Sequence, residues 1–143
     1  MSIKITEIFS FEQKTKIELP LYLSGVKAGF PSPAESFVDK KLDLNEYLIS
    51  HPAATFFLRV EGDSMINAGI HSGDILIVDR SIEPSNGKIV IAYLDNDFTV
   101  KRFVKQNNKC MLAPENPDYP LIVINDNMNL EIWGVVTFVI HSL

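Results

Sequence analysis

The chain has 143 residues, 46% of them apolar and 22% charged, with 13 Lys and Arg against 18 Asp and Glu for a net charge of −5. That is enough for one domain burying about 70% of its unfolded surface, and the composition is too apolar for whole-chain disorder. The acidic balance argues against binding nucleic acid through its phosphates and makes a protein partner the default; the single cysteine, Cys110, excludes an internal disulfide framework, and no Cys/His cluster has zinc spacing, so neither a metal nor another cofactor is expected.

The first thirty residues lack strong periodicity and are broken by Pro20, Gly25 and Gly29, so they read as an arm in which Ile17 to Leu23 is apolar enough for a short strand. Lys4, Glu7 and Glu12 interrupt any signal-peptide core. The longest apolar stretches, Ile89 to Leu94 and Gly134 to Ile140, fall well short of the roughly 18 residues that span a bilayer, and a cytoplasmic location without membrane contact is expected. Ser32, Pro33 and Glu35 supply an N-cap, a first-turn proline and a capping-box partner, which predicts a helix start, and Phe37, Val38 and Leu42 fall near helical spacing. Asp43 and Glu46 repeat the capping signature before Leu44, Tyr47 and Leu48, and Pro52 marks the stop.

From Thr55 the pattern changes to short β-rich runs at 55–61, 75–79, 88–94, 98–105, 110–113, 121–124 and 130–140. Asp95-Asn96-Asp97 reads as a hairpin turn, Gln106 to Lys109 as the next, and Asn116-Pro117 and Asn125 to Asn129 as loops. Seven short strands with one helical segment predict a mostly β domain built on a compact, folded sheet.

The densest chemistry lies in Glu61-Gly62-Asp63-Ser64-Met65, followed by Gly69-Ile70 and Gly73-Asp74. Gly62 permits a sharp change of direction, Ser64 opens a short helical turn and Gly69 ends it. This sets a hydroxyl near free backbone N–H groups, as an oxyanion hole requires. By spacing alone the commoner role of such a serine is a cap or turn residue. No carboxylate can be paired from the sequence with His51, His71 or His141 beside Ser64, so all three read as surface or structural histidines. Lys101 lies within Phe98-Thr99-Val100-Lys101-Arg102-Phe103, on the strand face opposite Val100 and Val104. Usually such a lysine is solvated, but a covered face lowers its pKa, and a neutral lysine takes a proton from serine. Cys110, in an apolar run, reads as a core residue; Asp95-Asn96-Asp97 lacks the later glycine and glutamate of a calcium loop.

Taken together, Gly62 to Met65, Gly69-Ile70, Gly73-Asp74 and Ile75 to Asp79 resemble the nucleophile segment of the LexA/UmuD family of self-cleaving serine proteases, and Phe98 to Arg102 resembles the strand that carries the family's general-base lysine. Ala28-Gly29-Phe30-Pro31-Ser32-Pro33 is similar to the family's cleavage segment, and Asp43 to Ile49 to its helix. Within the family UmuD itself has a cysteine before the scissile glycine, whereas LexA and phage repressors have alanine, so Ala28 keeps a small residue there.

The resemblance implies an arm, 1–28, removed by self-cleavage from a β domain, 29–143. It assigns Ser64 as nucleophile on the Ala28–Gly29 bond, Lys101 as base, and the backbone N–H groups of Ser64 and Met65 as oxyanion donors. It further implies stimulation by RecA filaments on single-stranded DNA, and a trimmed homodimer that serves a UmuC-type error-prone translesion polymerase in the SOS response to DNA damage. The long apolar strand Ile132 to Ile140 reads either as a dimer edge or as a central core strand. A LexA-like repressor is the first rival, disfavoured because 28 residues before the cut are too few for a helix-turn-helix unit. A signal peptidase needs a membrane anchor, and a non-catalytic binding module would keep Ser64 and Lys101 only as scaffolding.

Overall fold

The computed structural model describes residues 3–12, 16–22 and 38–143. Two compact units are present, one formed by the N-terminal strand with His51–Leu143 and the other lying within Glu12–Ser50. No helix among the described residues is long and apolar enough to cross a membrane.

The larger unit is an eight-stranded antiparallel sheet. It contains β1 (Lys4–Ser10), β4 (Thr55–Glu61), β5 (Ile75–Asp79), β6 (Ile89–Leu94), β7 (Asp97–Gln106), β8 (Lys109–Ala113), β9 (Ile122–Val123) and β10 (Leu130–Ile140). The smaller unit pairs β2 (Glu18–Tyr22) with β3 (Val38–Asp43), followed by a short helix, α1 (Leu44–Leu48). The spatial order of the large sheet is β1-β4-β5-β10-β6-β7-β8-β9.

All seven strands expected from Thr55 onward are present, because their turns are locally encoded. Asp95 and Asn96 have φ of 48° and 69°, and Asn107 and Asn108 have φ of 49° and 62°. Two successive residues of positive φ make the mirror-image turn whose twist matches a hairpin, and Asn and Asp tolerate it best after glycine. These turns join β6 to β7 and β7 to β8 as tight two-residue hairpins.

β10 occupies the middle of the sheet, pairing with β5 through Ile140↔Ile75 and Val135↔Asp79 and with β6 through Leu130↔Leu94 and Val135↔Val90. Its length therefore serves two partner strands within one chain, which is the central-strand reading, and does not by itself call for a second copy. Gly134 sits where β10 and β5 approach most closely: a Cβ there would lie 2.6 Å from Val78 Cγ1 and 3.2 Å from Asp79 O.

Two expectations need correction. Val38 and Leu42 do not continue a helix but lie in β3, where Leu42 pairs with Leu19 and Val38 with Tyr22. A short apolar run satisfies either period, and pairing with β2 decides it. Lys4–Ser10, which carries no clear strand signal, forms β1 along β4, from Lys4↔Glu61 to Ser10↔Phe56. The predicted helix start at Ser32 to Glu35 lies outside the described residues. Asp43 does cap α1, accepting from Glu46 N at 3.0 Å and from Ile17 N at 2.9 Å. Two such bonds explain why this carboxylate is buried.

The core of the large unit falls into two clusters. Ile3, Leu58, Val60, Met65, Ile70, Leu76, Val78, Ile91 and Val100 form the first. Val90, Ala92, Phe103, Leu112 and Val135 form the second.

Candidate functional site

The link from β4 to β5 folds tightly. Gly62, with φ of 105°, turns the chain out of β4; Ile66–Ala68 make a single 3-10 turn, and Gly69, with φ of 82°, ends it. Glycine carries no penalty at either angle. Met65 and Ile70 anchor the turn in the first core cluster, both fully buried. Ser64, directly before Met65, is thereby drawn under the surface and has 0% exposure. The backbone N–H groups of Ser64 and Met65 donate to no backbone acceptor among the described residues, whereas Met65 O accepts from Ala68 and Ile70.

Lys101 lies on β7 between Val100, at 0% exposure, and Arg102, and is itself only 4% exposed. Both faces of β7 are thus covered at this point. Burial pushes the Lys101 amine below its ordinary value of 10.5, since a charged ammonium loses more by leaving water than a neutral amine does. The condition set by the sequence reading, a covered strand face, is met.

Ile3 meets Ser64 and shares a cleft with Lys101. Its backbone N–H donates to Ser64 Oγ at 3.1 Å, its side chain packs in the first core cluster, and it lines the same open cleft as Lys101. Ile5, Phe98, Thr99 and Tyr119 line this cleft too.

A second set of residues, invisible in the sequence, clamps the Ser64 turn from outside. Glu115 N donates to Ser64 O at 2.8 Å, and Glu115 O accepts from Asn67 N at 2.8 Å. Asn116 Nδ2 donates to Asp63 O at 2.9 Å, and the Tyr119 hydroxyl donates to Asp63 Oδ1 at 2.6 Å. This last bond holds the Asp63 carboxyl below its ordinary range and pushes the Tyr119 phenol up to about 12. Arg102, next to Lys101, ion-pairs with Glu115 and so ties β7 to the clamp. The sequence shows 114–120 only as a Pro-rich loop; nothing local signals that it folds onto a turn some fifty residues earlier.

The histidines stay away from Ser64 and take carboxylate partners of their own. His51 Nδ1 bonds Asp79 Oδ2 at 2.6 Å, and His141 Nδ1 bonds Asp74 Oδ1 at 2.6 Å. Burial alone would raise the Asp79 carboxyl, but hydrogen bonds from Ser81 and His51 outweigh it and hold the group low. Cys110 packs against the second core cluster, where burial pushes its thiol up; it has the environment of a core residue, as expected. Ala28 and Gly29 lie outside the described residues.

A folded antiparallel sheet that buries a serine on a tight turn and a lysine on a hairpin strand has the architecture of the LexA/UmuD class of self-cleaving serine proteases. The Peptidase S24-like family matches residues 20–137, and the chain belongs to that family. Protein MucA of Salmonella typhimurium is 47% identical over 139 residues, spanning 96% of this chain and 92% of its own. Protein SamA of Salmonella typhimurium is 48% identical over 123 residues, spanning 86% and 85%. A LexA repressor of Shewanella baltica is 42% identical over 132 residues, but the match takes in only 63% of the repressor. The chain is thus a UmuD-like member of the group, similar over most of its length to the MucA and SamA proteins and to part of LexA.

Proposed function

We propose that the chain is the precursor of an accessory subunit for an error-prone translesion DNA polymerase of the SOS response, and that it trims itself between Ala28 and Gly29. In this reading neutral Lys101 accepts the Ser64 Oγ proton as Oγ attacks the Ala28 carbonyl carbon. The tetrahedral oxyanion is held by the N–H groups of Ser64 and Met65. The proton passes to the departing Gly29 amine, the peptide bond breaks, and water then hydrolyses the Ala28 ester to release 1–28 and restore the serine.

The observation that supports the reading is the burial of both Ser64 and Lys101, with Ile3 donating to Ser64 Oγ and lining the cleft that Lys101 also lines. The Ser64 hydroxyl accepts from Ile3 N–H, so in this reading the precursor rests with its own N-terminal segment at the nucleophile. Cleavage then requires the 28–29 bond to take that place. A RecA filament on single-stranded DNA would act by favouring this exchange, and the trimmed homodimer would join a UmuC-type polymerase subunit in the cytoplasm. No direct sequence-specific contact with nucleic acid, and none with a membrane, is part of this role. Similarity covering most of the length of MucA and SamA, against 63% of LexA, supports an accessory subunit over a repressor.

The test is intact-mass analysis during incubation with activated RecA. Wild-type protein should yield fragments 1–28 and 29–143, and folded Ser64→Ala and Lys101→Ala should lose about 10³-fold or more in rate. A cut at another bond, or equal yield from Ser64→Ala, would overturn the assignment.

A further inference from the structure

A cluster outside the cleft that Lys101 lines is assembled from two loops far apart in sequence. His71 and Asp74 lie in the bend that leads into β5, and His141 follows the last residue of β10. The pairing Ile140↔Ile75 sets their positions, because it carries the next residue of β10 alongside the residue preceding β5. Asp74 is 2% exposed and locked in place: its N–H donates to His71 O at 3.1 Å, its carbonyl accepts from Val60 N at 3.0 Å, and its Oδ2 accepts from His71 N at 2.7 Å.

Around this carboxylate stand two imidazoles. His141 Nδ1 lies 2.6 Å from Oδ1, His71 Nδ1 lies 3.7 Å from Oδ2, and the ring centroids are 4.8 Å apart. One donor atom from each of the three residues can be chosen so that all lie within 4.8 Å of one another. Bonds of about 2.0–2.1 Å to a tetrahedral ion place ligand atoms roughly 3.3 Å apart, a value inside the observed spread. Both rings are about half exposed, so they can turn to close the remaining gap, and Asp74 needs no movement of the backbone.

We propose that His71, Asp74 and His141 form a three-ligand site for a divalent transition-metal ion of the zinc class, with its remaining position open to water. Imidazole and carboxylate donors together suit Zn²⁺ and its borderline neighbours, whereas Mg²⁺ and Ca²⁺ prefer all-oxygen shells. One carboxylate offers a single negative charge to two rings; a divalent ion engages all three donors at once. Bound there, the ion fastens the C-terminal end of the central strand to the bend that follows the Ser64 turn. The site stands independently of the protease reading, and spacing along the chain hid it because His71 and His141 are 70 positions apart.

The test uses the full chain after chelator treatment, titrated with Zn²⁺ by calorimetry and with Co²⁺ by visible absorption. One ion should bind per chain with micromolar or tighter Kd, and Co²⁺ should show the intense bands of a low-coordinate site. His71→Ala and His141→Ala, checked for fold by circular dichroism, should each weaken binding by about tenfold or more, while His51→Ala should leave it unchanged. Zn²⁺ should raise the thermal midpoint of wild-type protein but not of the double variant. Absence of saturable Zn²⁺ binding, or binding retained by the folded double variant, would overturn the site and leave the cluster as a pair of histidine–carboxylate bonds.

Discussion

The two sides of the large sheet are built in opposite ways. β6 to β9 follow one another along the chain, with two-residue turns between β6, β7 and β8, and place Lys101 in the middle of a local meander. The Ser64 side brings together three remote pieces, β1, the β4–β5 pair and β10. Its core cluster is completed by Ile3, 61 positions before the serine whose hydroxyl it meets. Local pairing has a small loop-closure cost, whereas remote pairing must recover a larger one from burial. Lys101 is therefore held by structure that forms from its neighbours, and Ser64 by structure that depends on a terminal strand.

The largest contrast to test is chemical. In the proposed reaction neutral Lys101 is the competent form, and burial lowers its pKa below 10.5, so the neutral fraction grows with rising pH. Unaided cleavage should accelerate about tenfold per pH unit from neutrality and level off below pH 10.5. A rate that is flat or falls with pH in protein that stays folded by circular dichroism would remove the lysine on the meander from the chemistry. The same depressed pKa means the folded state binds fewer protons than the unfolded one between the two values, so this group's contribution to stability increases with pH across that window.

Core truncation separates the two halves next. Leu112→Ala, in the meander, should lower global stability by about 2–5 kcal/mol. Ile3→Ala removes an equally buried side chain, yet should act mainly by releasing β1. Hydrogen exchange at 4–10 should then rise well before exchange in β6 and β7. Uniform loss of protection after Ile3→Ala would show that β1 and the meander unfold as one unit.

Smaller effects follow at the seam and at the clamp. Gly134→Ala forces a methyl against Val78 and the Asp79 carbonyl, where β10 meets β5, and should cost about 1–3 kcal/mol in urea unfolding. A neutral result would mean that β10 shifts freely there. Tyr119→Phe removes the donor that holds Asp63 low, so the Asp63 carboxyl should titrate closer to its ordinary range by NMR, with little change in global stability. An unchanged Asp63 titration would dismiss Tyr119 as its main partner.

Much of this was legible from the residues alone. Paired Asn and Asp turns, β-branched runs and the Asp43 cap are local signals, and their strands and helix formed where expected. Ser64 and Lys101 stood out through the resemblance of their two segments to the LexA/UmuD family, since local pattern alone favoured a turn serine and a solvated lysine. Tertiary structure alone decided the rest. It drew Val38 and Leu42 into a strand, made β10 central, desolvated Lys101, seated Ile3 on Ser64, folded Glu115, Asn116 and Tyr119 over the turn, and brought His141 to His71 and Asp74. Local conformation is set by neighbours a few positions apart, so sequence determines it directly; burial, pKa and the meeting of distant side chains depend on which strands pair and in what register, a choice made by the whole chain's core.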